Sequence, residues 1–117
     1  MLDRHILIPT EITEIANATV AFNTTIAAAA ASKDLAFVNA NAVLTQVTTT
    51  GLNVNGFNFT GQLVFGHAFS LDGVHPTSRG YALLANEFAK SINAKYGSNL
   101  PAVNVGLYNN LFPLILP

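Results

Sequence analysis

The chain contains no cysteine, which excludes a disulfide framework, a thiolate metal site and a thiol nucleophile. Charge is scarce as well: Asp, Glu, Lys and Arg make up 9% of the 117 residues, against about 25% in an ordinary soluble domain. Five basic and six acidic side chains leave a formal net charge of -1, so there is no basic face of the kind a nucleic-acid platform needs. Long apolar runs are missing too. Ala27 to Ala31 is short, and the closing Leu111 to Pro117 stretch is interrupted by Pro113, whereas a membrane span needs about 18 residues or more. Met1-Leu2-Asp3-Arg4-His5 mixes charges at once and lacks the basic start, apolar centre and small-residue cleavage site of a signal peptide. An export address, if one exists, is expected upstream.

What remains is rich in hydrophobic residues, 50% of the chain, and reads as a core-forming sequence and not a disordered one. Its surface must be wetted mainly by Asn, Thr and Ser. Ile12, Ile15, Phe22, Ile26 and Ala29 recur at helical intervals, predicting a helix over 10–32 with Thr10 as N-cap and Glu11 and Glu14 in its first turn. Leu35-Ala36-Phe37-Val38 does not alternate and reads as a buried parallel strand over 35–39. A shorter helix is expected over 40–49, closed by Gly51. Asn55-Gly56 between Leu52-Asn53-Val54 and Phe57-Asn58-Phe59 predicts a β-hairpin over 52–59, and Gln62 to Phe65 reads as a further short extended piece. Leu84, Phe88, Ile92 and Tyr96 form one stripe of a final amphipathic helix over 77–97, stopped by Gly97. The tail 98–117 reads as an irregular segment laid over a body. No repeat or linker divides the chain, which is taken as one unit. A lone parallel strand has no ladder partner for its N–H and C=O groups, so the sheet is expected to be incomplete.

Asp72-Gly73-Val74-His75-Pro76-Thr77 sets a carboxylate three residues before an imidazole on a turn that enters the last helix. Gly73 lets the backbone bend, so that Asp72 can accept a hydrogen bond from one ring nitrogen of His75 while the other faces outward. Such a carboxylate fixes the tautomer and stabilises the imidazolium formed when the ring takes a proton from a hydroxyl nucleophile. Pro76 stiffens the exit, and Thr77 or Ser78 can cap the helix.

Phe69-Ser70-Leu71-Asp72-Gly73-Val74-His75-Pro76-Thr77, followed by Gly80-Tyr81-Ala82-Leu83-Leu84-Ala85, resembles the last sequence block of the SGNH, or GDSL-type, serine ester hydrolases and lipases. In particular it resembles the large GDSL-like lipases of Bacteroidetes-type bacteria, which carry an insertion ahead of that block. The resemblance implies an α/β fold: the C-terminal part of a three-layer α/β/α, flavodoxin-like hydrolase domain with a small β-hairpin insertion. It implies that Asp72 orients and that His75 acts first as general base, then as general acid to the leaving alcohol, without a cofactor. The substrate it implies is an ester of a lipid or an acylated sugar, met outside the cytoplasm. The family's nucleophilic serine lies in a Gly-Asp-Ser block, and its oxyanion hole draws on that block, a glycine of a second and an asparagine of a Gly-x-Asn-Asp block. Neither Gly-Asp-Ser nor Asn-Asp occurs in this sequence. The chain therefore resembles the C-terminal segment alone, and the missing N-terminal part of the domain is its expected partner. Alone it is expected to be catalytically incomplete.

Blander readings stand beside these. Asp72 can simply cap backbone N–H groups of an Asp-Gly turn with His75 as surface decoration. Arg79 reads as a solvated helix residue, with an ion pair to Asp72 as the other option. A metal site would have to gather Asp3, His5, His67, Asp72 and His75 from positions without a recognised ligand spacing, and none is expected. Phe57, Phe59, Phe65 and Phe69 read as packing in preference to an acyl pocket, and Asn53, Asn55 and Asn58 as turn chemistry. Ser70, Ser78, Ser91 and Ser98 sit on no nucleophile elbow. The alternative function is a non-catalytic interaction or assembly module of the same ancestry, whose first and last helices dock on a partner domain.

Overall fold

The computed structural model describes residues 6–109; the expectations that fall on residues 1–5 and 110–117, including those for Asp3 and His5, lie outside them. Contacts divide the chain into two compact units, Met1–Phe37 and Val38–Pro117, although no linker composition marks the boundary.

The first unit is built on α1, Pro9–Ser32. Its N-cap is Ile8 and not Thr10. Proline cannot donate and is preset for the first helical position, and it drives its predecessor out of the helical region, so the boundary falls between Ile8 and Pro9. Ile8 is extended, at φ -81° and ψ 159°, and its N–H donates to Glu11 Oε2 at 2.9 Å. The other end closes as a Schellman motif: Asp34 is left-handed at φ 54°, its N–H donates to the Ala31 carbonyl at 3.1 Å, and the Leu35 N–H donates to the Ala30 carbonyl at 2.9 Å. This closure overturns the strand expected over 35–39. The Leu35 N–H is spent on the helix end, the Val38 carbonyl accepts from Ala40 N–H at 3.0 Å, and no strand forms there. No residue of α1 is buried.

In the second unit α2, Ala40–Thr49, starts under an Asn39 side chain that accepts the Ala42 N–H at 3.0 Å. It ends before Gly51, whose φ is +77°. Strands β1, Leu52–Val54, and β2, Phe57–Phe59, pair antiparallel with Leu52 opposite Phe59 and Val54 opposite Phe57. Asn55 and Gly56, both at positive φ, supply the tight turn. This two-stranded ribbon is the only sheet among the described residues, which form no parallel sheet. Gln62 to Phe65 is a turn and not an extended piece.

The core comprises Val47, Phe59, Ala68, Ala82, Leu83 and Val105, with Leu52, Val54, Phe57, Phe69 and Val103 packed against it. Helix α3, Ser78–Tyr96, presents Arg79, Gly80, Ala82 and Leu83 inward. Gly80 is required by close approach, because a Cβ there would strike the Ala68 carbonyl. The stripe through Leu84, Phe88, Ile92 and Tyr96 is not the core face: Phe88 and Tyr96 are exposed, and Leu84 and Ile92 are half-buried. Instead, side-chain amides of α3 hold the following segment. Asn86 donates to the Val103 carbonyl and accepts its N–H at 2.9 and 2.8 Å, and Asn93 does the same for Leu100 at 2.9 and 2.8 Å. The segment so held delivers Val105 to the core within a single 3-10 turn, Val105–Leu107.

Candidate functional site

Two bonds define the loop that carries Asp72 and His75. The Ser70 N–H donates to the His75 carbonyl at 2.8 Å, and the Gly73 N–H to the Ser70 carbonyl at 3.0 Å. Gly73 takes φ +71°, a value that a side chain would strain. The loop runs into α3 through Thr77, whose Oγ1 accepts the Gly80 N–H at 3.0 Å and donates to the His67 carbonyl at 2.5 Å. Thr77, not Asp72 or Ser78, is thus the cap, and Asp72 is left for the loop.

Its two carboxylate oxygens divide the work. Oδ1 accepts from Ser70 Oγ at 2.6 Å, from the Val74 N–H at 2.9 Å and from the His75 N–H at 2.9 Å. Oδ2 meets His75 Nδ1 at 2.6 Å. The Ser70 hydroxyl first, then the Val74 N–H, the His75 ring and the His75 N–H hold the Asp72 carboxyl well below the usual carboxylate range. Asp72 therefore does cap backbone N–H groups, as the bland reading has it, and it also orients the ring. An ionised carboxylate accepts only, so the proton of a neutral His75 lies on Nδ1 and the lone pair on Nε2. The ring is 71% exposed, and among the described residues no hydroxyl bonds its second nitrogen. Ser70 is committed to Asp72, Ser98 Oγ donates to Asn93 Oδ1 at 2.9 Å, and Ser78 opens α3 on its exposed side.

Arg79 departs furthest from its sequence reading. It is 7% exposed and makes no ion pair with Asp72. Its Nε donates to the Val105 carbonyl at 3.2 Å, a terminal nitrogen lies 3.0 Å from His67 Nδ1, and its guanidinium carbon stands 3.9 Å over the Phe57 ring. Because arginine only donates, Nδ1 of His67 is the acceptor and that ring is neutral with its proton on Nε2. Desolvation, and then the Arg79 charge, lower the His67 pKa from 6.5. Phe57 and Phe59 meet the same ring edge-on, at centroid distances of 5.5 and 6.4 Å. The sequence carried one signal of this cluster: a cation in the first turn of a helix opposes the helix dipole, a local conflict that tertiary contacts must compensate.

His67 is therefore engaged by Arg79 and does not join Asp72 and His75, and the described residues gather no group of three His, Asp or Glu side chains suited to a metal ion. No described helix is long and apolar enough to cross a membrane. A groove of about 560 Å³ lies between α3 and the segment it holds, lined among others by Asn55, Asn86, Glu87, Lys90 and Asn104. Neither Asp72 nor His75 lines it, and the chemistry of the exposed pair outweighs its volume as a guide to function. No known protein family, curated protein or solved structure matches the chain.

Proposed function

We propose that the chain supplies the acid–base half of a serine ester hydrolase, with His75 as the base and Asp72 as its positioning residue. The observation that carries this reading is the 2.6 Å contact between Asp72 Oδ2 and His75 Nδ1, on a ring whose other nitrogen faces solvent. Nε2 takes the proton of a hydroxyl brought to it as that oxygen attacks the ester carbonyl. The imidazolium so formed is stabilised by the carboxylate, and it returns the proton to the departing alkoxide. Water then attacks the acyl intermediate by the same relay. The hydroxyl and the oxyanion donors come from a partner segment, in keeping with the resemblance of 69–85 to the last block of the SGNH hydrolases.

In a polypeptide that joins this chain to the hydroxyl donor, His75→Ala should abolish turnover of a p-nitrophenyl ester while leaving the fold intact. Asp72→Asn should lower it by a factor of about a hundred or more. Undiminished turnover in His75→Ala overturns the reading. The chain alone should resist a fluorophosphonate probe, and stoichiometric labelling would place a nucleophile within it. A second reading, an assembly module without catalysis, draws on the exposure of Ile12, Ile15, Phe22 and Ile26 along α1 and of Phe88 and Tyr96 on α3. It expects the His75→Ala protein to keep its biological role.

A further inference from the structure

The His75 and Asp72 side chains are 71% and 51% exposed, so burial is not what holds them in register. In water an unrestrained aspartate rotates about its torsions and trades its partners for solvent. Donors on the loop itself must fix the carboxylate, and they are gathered on one oxygen. Oδ1 accepts from the Ser70 hydroxyl, the Val74 N–H and the His75 N–H, whereas Oδ2 has the His75 ring as its one partner among the described residues. Turning the carboxylate away from the ring would break all three bonds to Oδ1 at once.

Of these donors only Ser70 is a side chain, and its bond is the shortest, at 2.6 Å against 2.9 Å for each amide. A hydroxyl that donates to a carboxylate at this distance belongs to the strong, charge-assisted class. It favours the ionised form, and is the first cause of the lowered Asp72 pKa. Among the described residues His75 is the one titratable side chain that bonds this carboxylate, since Arg79 is turned to His67. The backbone of Ser70 is fixed at the same time. Its N–H donates to the His75 carbonyl at 2.8 Å, its carbonyl accepts the Gly73 N–H at 3.0 Å, and Phe69 and Pro76 bridge antiparallel just outside it. With both its backbone groups tied across the loop, rotation about the Cα–Cβ bond alone brings the hydroxyl onto Oδ1. Every one of these contacts lies within residues 69–76.

We infer that Ser70 is a positioning residue of the pair: its hydroxyl pins Asp72 Oδ1 and so aims Oδ2 at the His75 ring before any partner segment arrives. A hydroxyl two residues before Asp72 in the sequence thus serves the carboxylate and not the ester, because its proton points to Oδ1 and is not shared with Nε2. The effect on turnover rests on the hydrolase proposal, whereas the hold on the carboxylate is measured in the isolated chain.

In the isolated chain, Ser70→Ala should make Asp72 titrate at a higher pH than in the unaltered protein, followed by carbon-13 NMR of its carboxyl group. It should also reduce the excess of the Nδ1–H tautomer of the neutral His75 ring. Circular dichroism should stay unchanged, because the backbone bonds of residue 70 do not involve its side chain. Ser70→Thr keeps the hydroxyl and should preserve both signals; Ser70→Val has the same shape without the hydroxyl and should not. That pair decides the matter if the alanine variant misfolds. In the polypeptide joined to the hydroxyl donor, Ser70→Ala should lower kcat for a p-nitrophenyl ester by a factor of about three to ten at unchanged KM, the loss of one charge-assisted bond weakened by solvent. An Asp72 titration and tautomer preference that Ser70→Ala leaves in place, a threonine variant that behaves as the valine one, or a fall in turnover carried by KM alone would each overturn the assignment. So would an unchanged kcat in Ser70→Ala where His75→Ala abolishes turnover. Should His75→Ala leave turnover intact while Ser70→Ala still shifts the Asp72 titration, the hydrolase reading falls and the positioning of the pair stands.

Discussion

Replacing Arg79 by Met keeps most of the volume of the side-chain stem and removes the guanidinium. Three contacts go with it: the bond to the Val105 carbonyl at 3.2 Å, the bond to His67 Nδ1 at 3.0 Å and the face of Phe57 at 3.9 Å. A charge-assisted hydrogen bond contributes about 1.5 to 3 kcal/mol and a cation over a desolvated ring about 1 to 2 kcal/mol. The buried Val105 carbonyl keeps the Tyr108 N–H at 3.2 Å, so the loss of the Arg79 donor does not leave it unpaired and adds no full desolvation cost. Against the lost contacts, a buried cation without an acidic partner is itself unfavourable, and its removal returns part of the loss. The net expectation is a destabilisation of about 2 to 4 kcal/mol, read as a lower urea midpoint at unchanged slope. Arg79→Lys should recover little of it, because an ammonium cannot bond Val105 and His67 while lying flat on Phe57. A double-mutant cycle with Phe57→Leu should show coupling of about 1 kcal/mol. A loss below about 1 kcal/mol in Arg79→Met, or additivity with Phe57→Leu, would refute the assignment of Arg79 as the tie between the hairpin, the 67 turn and the 105 turn.

Folding disfavours the charged form of His67, so its contribution is complete above 6.5 and declines as pH falls below that value toward the lowered folded one. Urea midpoints measured across mildly acid pH should fall on acidification, and His67→Asn, compatible with φ 61°, should flatten the slope. Gly66→Ala drives a Cβ into backbone carbonyls of Gln62 and Thr60 and should cost about 3 kcal/mol or more by the same assay. Val64→Asn replaces a β-branched residue at φ 71° by one that tolerates this region, and should raise the midpoint by an amount equivalent to about 1 kcal/mol.

Elements whose signals are local were legible in the sequence. Asn55-Gly56 dictated the hairpin, Gly51 and Gly97 the ends of α2 and α3, and Asp72-Gly73-Val74-His75 the loop that brings carboxylate and imidazole together. Errors arose where a distant contact, or one neighbouring residue, decided. Leu35 to Val38 has the composition of a buried strand, but the Schellman closure of α1 takes its first N–H. Apolar periodicity selected Leu84, Phe88 and Ile92 as the inward stripe of α3, whereas Gly80, Ala82 and Leu83 face the core because small residues let the helix approach Ala68. The Arg79 cluster joins residues from three stretches of chain that no periodicity links. The γ-turns at Val64 and His67, closed by the Phe65 N–H on the Leu63 carbonyl and the Ala68 N–H on the Gly66 carbonyl, were illegible for the opposite reason: neither residue favours positive φ, and the closure of the loop around Gly66 imposes it.

The measurement that bears most directly on the proton relay is the tautomer of the neutral His75 ring in the isolated chain, read by nitrogen-15 NMR. With Asp72 as acceptor, the proton should sit on Nδ1 and the unprotonated nitrogen should be Nε2, and Asp72→Asn should erase that preference. A His75 ring carrying its proton on Nε2 in the unaltered chain would contradict the relay, because the nitrogen meant to receive a proton would already hold one.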